Sequence, residues 1–185
     1  KYPDLKIRCM DTRYTAAAER YITELSKIVK EFQITKGGPI VMLQIENEYG
    51  SYGNDKEYLI WLSELWRKNG IDIPFATGDG PTPYMLDAGS LPGHAVGLDS
   101  GSELAHWDLA NKLNPGVPVF SSETYPGWLT HWGEEWAKTK TDDICKEVDF
   151  LMKNKKSFSL YVFHGGTNFG FTAGANAFAD KNLPS

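Results

Sequence analysis

With 185 residues, 41% of them apolar and 23% charged, the chain has the size of about one domain and can bury a core without metal or disulfide staples. No apolar run approaches the roughly 18 residues that a membrane helix needs, and the Pro and Gly residues are scattered without a collagen-like period. A net charge of −5 argues against a nucleic-acid surface, which usually carries a basic excess, and Cys9 and Cys145 lack metal-ligand spacing, leaving free thiols or one lone bridge.

In chain order, Lys1-Tyr2-Pro3-Asp4-Leu5 has neither an initiator Met nor a signal pattern and reads as the middle of a longer sequence. Ala18, Tyr21, Ile22, Leu25, Ile28, Val29 and Phe32 recur at helical intervals, predicting an amphipathic helix from Asp11 to Ile34 with Asp11 or Thr12 as its cap. Lys36-Gly37-Gly38-Pro39 ends it, and the apolar run Ile40 to Ile45 suits a strand covered on both faces. A second helix is expected after Asn54 as cap, with Glu57 three residues on and Asn69-Gly70 closing it. Strands fit Ile73 to Thr77, Ala95 to Leu98, Val117 to Ser122 and Phe158 to Phe163, and helices fit Glu103 to Lys112 and Asp142 to Lys153. Alternation of this kind predicts a parallel α/β sheet. Neither glycine-dense strand exit, Thr77-Gly78-Asp79-Gly80 or His164-Gly165-Gly166-Thr167, fits a dinucleotide or phosphate loop. Polar chemistry instead follows the carboxyl ends of successive strands, as in a (β/α)8 barrel.

Two such ends carry glutamates. Glu46-Asn47-Glu48-Tyr49-Gly50 follows the first apolar run; Ser121-Ser122-Glu123 ends another and is followed by Tyr125, Trp128, His131 and Trp132. In an unbroken pleat Glu46 and Glu48 face one way and Asn47 the other, unless the strand has begun to curl. Aromatic residues make up 13% of the chain, consistent with a large aromatic core or with walls for sugar rings. Two strand-terminal carboxylates are the minimum for glycoside hydrolysis, one as acid and base, the other as nucleophile or activator of water.

These residues also carry a resemblance. Gly37-Gly38-Pro39-Ile40 with Gln44-Ile45-Glu46-Asn47-Glu48-Tyr49-Gly50-Ser51-Tyr52, then Ser122-Glu123-Thr124-Tyr125-Pro126-Gly127-Trp128-Leu129, then Tyr161-Val162-Phe163-His164-Gly165-Gly166-Thr167-Asn168-Phe169-Gly170 are similar to signature stretches of the β-galactosidases of glycoside hydrolase family 35. The similarity extends over essentially the whole chain. It implies a retaining, cofactor-free and metal-free exo-β-galactosidase that removes terminal β-linked galactose from a glycan or galactoside, with Glu48 as acid/base and Glu123 as nucleophile. Asn47 is implied to hold a galactose hydroxyl, Trp128 to pack on the sugar, and Tyr161 to orient the nucleophile or a hydroxyl. Tyr125, close after Glu123, is read as a wall of the pocket, and His164, at the end of the last strand, as lining the pocket or packing on the rim. Glu48 is expected to be held protonated by burial and by the negative charge of Glu123. Thr124 stands where many members have Phe or Tyr, a change expected at the wall beside Glu123, and Glu46 is read as structural, paired with a lysine or arginine behind its strand. Alternative readings are a family member acting on another terminal β-sugar such as glucosamine, or an inactive carbohydrate-binding remnant.

A complete barrel of this kind takes about 250 residues. The strands beginning at Ile40, Ile73, Ala95, Val117 and Phe158 correspond to strands four to eight of the family barrel, so residues 1–185 are expected to be the C-terminal part of a catalytic barrel. Strands one to three and any β domains would lie elsewhere in the parent chain. The isolated chain is then expected to be poorly stable and inactive, and family habit suggests a secreted, periplasmic or other glycan-degrading location.

Overall fold

A computed structural model describes residues 2–131 and 133–165. The first helix, α1, spans Thr12–Val29, and Asp11 caps it by accepting a hydrogen bond from the Arg13 amide at 3.0 Å. Two 3-10 turns follow, and the chain leaves through Gly37 at φ +82°, the left-handed conformation for which glycine is suited. The helix therefore stops short of the expected Ile34. Its apolar stripe is only partly covered: Ile22 is buried against α3 (Lys56–Lys68), whereas Tyr21, Ile28 and Phe32 remain exposed.

Helix α3 is capped by Asp55 rather than by the expected Asn54. The Asp55 carboxylate accepts from the Tyr58 amide at 3.0 Å and from the Met10 amide at 3.1 Å, so one side chain closes the helix and ties down the N-terminal segment. The remaining helices are the single turn α2 (Tyr49–Tyr52), α4 (Pro83–Gly89), α5 (Leu104–Leu113) and α6 (Thr141–Lys153).

Strands β1 (Leu43–Gln44), β2 (Phe75–Asp79), β3 (Ala95–Asp99), β4 (Val119–Thr124) and β5 (Phe158–Leu160) form one parallel sheet in sequence order. Parallel neighbours taken strictly in order, each linked through a helix, make an arc of a (β/α)8 barrel. Three strands begin two or three residues later than their apolar runs, because burial starts before pairing: Ile73 is fully buried ahead of β2. The last strand ends at Leu160, and Tyr161, Val162 and Phe163 follow as an exposed turn.

Two apolar clusters hold helices to the sheet. One joins Ile22, Leu59, Leu62 and Trp66 to Ile45, Ile73 and Phe75; the other joins Leu86, Trp107 and Leu151 to Val96 and Leu98. Fully burying such side chains stabilises by about 1.5–3 kcal/mol each. Beside Ile73 of the first cluster, buried Gln33 donates to the carbonyls of Lys30 and Gly70 and accepts from the amides of Asp72 and Ile73, satisfying turn backbone.

Register explains where β4 delivers its acid. Leu98 pairs with Ser121 but Asp99 pairs with Glu123, so β4 carries one extra residue at this point. In an unbroken pleat Ser121 and Glu123 would share a face. The bulge turns Glu123 to the face of Asp99 and sends Thr124 to the buried side, where its hydroxyl lies 2.8 Å from that of Ser121. Thr124 is thus not part of the wall beside Glu123, contrary to expectation.

Candidate active site

The loop after β1 departs from strand geometry at both glutamates. Glu46 has φ +59° and Glu48 has φ +46°, left-handed values that cost about 1–2 kcal/mol for a residue with a Cβ. The two acids consequently separate. Arg8 grips Glu46, with Nη2 at 2.8 Å and Nε at 3.2 Å from its carboxylate, and the Tyr58 hydroxyl donates to Glu46 Oε1 at 2.6 Å. Burial, followed by the hydrogen bond to Glu46, pushes the Tyr58 phenol far above its ordinary value. Arg8 Nη2 also donates to the Asn47 carbonyl at 2.6 Å, so the structural partner read for Glu46 is an arginine that braces the whole loop.

The far end of the loop is fixed by Asp79, the last residue of β2, whose Oδ1 accepts from the Gly50 amide at 2.7 Å. A side chain at Gly50 would place Cβ 2.0 Å from the Met85 carbonyl oxygen, which explains a glycine there. Asp79 is 1% exposed, and burial raises its carboxyl to about 7 against the opposing pull of the Gly50 amide.

Glu48 turns the other way, toward the ends of β3 and β4. Oxygens of Glu48, Asp99 and Glu123 lie within 4.8 Å of one another. The Tyr125 hydroxyl reaches both neighbouring acids, donating to Asp99 Oδ1 and lying 2.8 Å from Glu123 Oε2. Burial first, then hydrogen bonding to Asp99 and Glu123, pushes this phenol far above its usual value. Burial also raises Glu48, followed by the charge of Asp99, a hydrogen bond with Asp99 and the charge of Glu123, against a lowering by Arg8. The contribution expected from Glu123 is therefore present but ranks behind Asp99. Three carboxylates could offer oxygens to a cation; the Tyr125 hydroxyl donates a proton into the same cluster.

Other candidate residues surround this cluster to different degrees. Trp128 stands edge-on to Tyr125 with ring centroids 5.3 Å apart, and Tyr161 does the same at 6.1 Å. Both rings are more than half exposed, as a platform for a ligand requires. Asn47 is exposed, and its Oδ1 accepts from Gln44 at 2.9 Å. His164 is exposed beyond β5, and among the described residues no hydrogen bond ties it to the carboxylates. His131 pairs with Glu134 at 2.9 Å. Trp132 lies outside the described residues, as do Gly166 to Gly170 of the third signature stretch. Cys9 and Cys145 are free thiols.

Sequence patterns alone do not mark Asp99, Asp79, Arg8 or Tyr58 as site residues. Asp99 had a signal: a single acid ending the apolar strand Ala95-Val96-Gly97-Leu98, the position that Glu123 holds in β4.

The chain is 42% identical over 188 residues to beta-galactosidase 17 of Arabidopsis thaliana, an alignment covering 97% of this chain and 27% of that protein. It is 35% identical over 185 residues to a beta-galactosidase of Xanthomonas manihotis (98% and 30%) and 35% identical over 176 residues to a beta-galactosidase of Homo sapiens (92% and 26%). The chain thus spans less than a third of the length of these curated relatives. Since the sequence model of the glycosyl hydrolases family 35 also matches residues 1–185, end to end, the chain belongs to that family.

Proposed function

We propose that the protein is a retaining exo-β-galactosidase in which Glu48 is the acid/base and Glu123 the nucleophile. The observation that carries this reading is that the two carboxyl groups face each other closely enough to bring one oxygen of each within 4.8 Å. Retaining enzymes hold theirs about 5–5.5 Å apart, whereas inverting ones need about 6.5–9.5 Å to admit a water. In the first step a Glu123 oxygen attacks the anomeric carbon as the glycosidic bond breaks, and Glu48 gives its proton to the departing oxygen. In the second, Glu48 takes a proton from water, whose oxygen attacks the same carbon and displaces Glu123, releasing galactose with its original configuration. Burial and like charge around Glu48 favour the protonated form that the first step uses. Trp128 and Tyr161 offer apolar faces to the sugar; with Asn47 Oδ1 taken by Gln44, the Asn47 amide nitrogen is the group left to donate to a hydroxyl.

These 185 residues act as strands four to eight and the C-terminal part of the barrel. Support comes from the outer edge of β1, which no strand covers among the described residues, and from the exposed apolar flank of Tyr21, Ile28, Phe32, Ile34 and Val41 beside it. Turnover then requires the strands that cover this edge, and the segment alone is inactive. Treating the full-length protein with a 2-deoxy-2-fluoro galactoside bearing a good leaving group tests the mechanism. Slow inactivation with label on Glu123 is expected; label on Glu48 or Glu46 sinks the assignment.

A further inference from the structure

Resting on the roles just given to Glu48 and Glu123, we propose that Asp99 is a positioning residue of this site: held by Tyr125, its carboxylate keeps the transferable proton on Glu48. Nothing in the minimal two-carboxylate mechanism requires a third acid, yet the β4 bulge aligns Asp99 directly with Glu123 across the ladder. The Tyr125 hydroxyl has one proton and reaches two carboxylates, those of Asp99 and Glu123. A phenol donating to Asp99 anchors that carboxylate and leaves its remaining lone pairs for the hydrogen bond with Glu48.

The groups facing Glu48 come from four directions: Asp99 from β3, Glu123 from β4, Asp79 from β2, and Arg8 from the N-terminal segment. Asp99 and Glu123 each hold a carboxylate oxygen within 4.8 Å of one on Glu48, so both negative neighbours favour its protonated form. This matters because the two neighbours have different fates. Glu123 loses its charge when it becomes an ester; Asp99 takes no part in bond making and keeps its own. In the glycosyl-enzyme, Asp99 therefore continues to make Glu48 proton-seeking, which the second step needs when Glu48 must draw a proton from water.

Asp99→Asn in the full-length protein tests this, since the amide oxygen can still accept from Tyr125 while the charge is gone. The basic limb of the kcat/KM profile is expected to move down by about one pH unit or more. Galactosides with poor leaving groups should lose at least about tenfold in kcat/KM at neutral pH, and a dinitrophenyl galactoside, which needs no protonation, should lose much less. A folded Asp99→Asn protein with an unmoved basic limb overturns the proposal. If that variant does not fold, Tyr125→Phe serves: Asp99 without its phenol leans on the Glu48 proton alone, and the limb should move up. An unmoved limb there is equally decisive against the proposal. Glu48→Gln and Glu123→Gln separate the two readings. If both abolish turnover of poor-leaving-group galactosides while the Asp99 profile is unmoved, only the role of Asp99 fails; if either remains fully active, the underlying reading fails.

Discussion

Asp79→Asn should make the barrel more stable at alkaline pH while leaving it little changed in acid. Asp79 is buried behind the loop that carries Glu48, and burial raises its carboxyl to about 7 from an ordinary value of 3.8. The sign follows from proton counting. Between those two values the folded protein holds a proton that the unfolded chain has lost, so stability is greatest below about pH 4 and declines as pH rises through 7. A gap of about 3 units corresponds to about 4 kcal/mol in total, of which about 3 kcal/mol is lost between pH 5 and pH 8. Asparagine cannot ionise, and its Oδ1 can keep the bond from the Gly50 amide that Asp79 accepts at 2.7 Å. Urea unfolding of the full-length protein and the variant, followed by tryptophan fluorescence at several values between pH 5 and 8, reads the difference directly. The wild type should lose about 3 kcal/mol relative to Asp79→Asn across that range. Parallel profiles, or a wild type that gains on the variant as pH rises, would refute a buried, proton-holding Asp79.

Further outcomes follow from other contacts. Gly89→Ala would put Cβ 2.0 Å from Asp79 Oδ1, so it should prevent folding or release the Glu48 loop, read as loss of activity together with a lowered melting temperature. Gln33→Leu leaves two carbonyls and two amides without their partner and should destabilise by about 4 kcal/mol or more in urea titration, at about 1–3 kcal/mol per unmet group. Glu46→Gln breaks a charged pair whose glutamate side chain is 11% exposed and should cost about 2 kcal/mol; a double-mutant cycle with Arg8→Met should recover most of it as coupling. Glu48→Ala should retain turnover of dinitrophenyl galactosides, with azide restoring rate and yielding a β-configured galactosyl azide by chromatography. An α-configured azide would contradict a retaining path.

Much of the fold could be read from sequence because its elements are punctuated. Gly37, the Asn69-Gly70 pair and the Asn114-Pro115-Gly116 breaker each end a helical pattern, and the acids at 48 and 123 stand out against the apolar runs they follow. Strand starts were less legible, since apolar composition reports burial and the ladder begins only where neighbouring backbones meet, as at Ile73 before Phe75. Helix α4 passed unnoticed although Thr82 followed by Pro83 is a recognisable cap and first position; at seven residues it is too short for periodicity to show. The bulge in β4 was invisible for a different reason. An extra residue leaves no compositional mark, so the opposite facings of Glu123 and Thr124 depend on how β4 registers with β3. Asp99 shares that origin: its importance lies in what sits across the ladder from it.

The left-handed backbone at Glu48 has a consequence for how such a protein would decay. Glycine relieves the conformational cost at this position and removes the carboxyl group in one substitution, so selection for turnover and selection for stability pull in opposite directions at a single codon. A lineage freed from the need to cut sugars would be expected to drift to glycine there early, becoming sturdier as it falls silent.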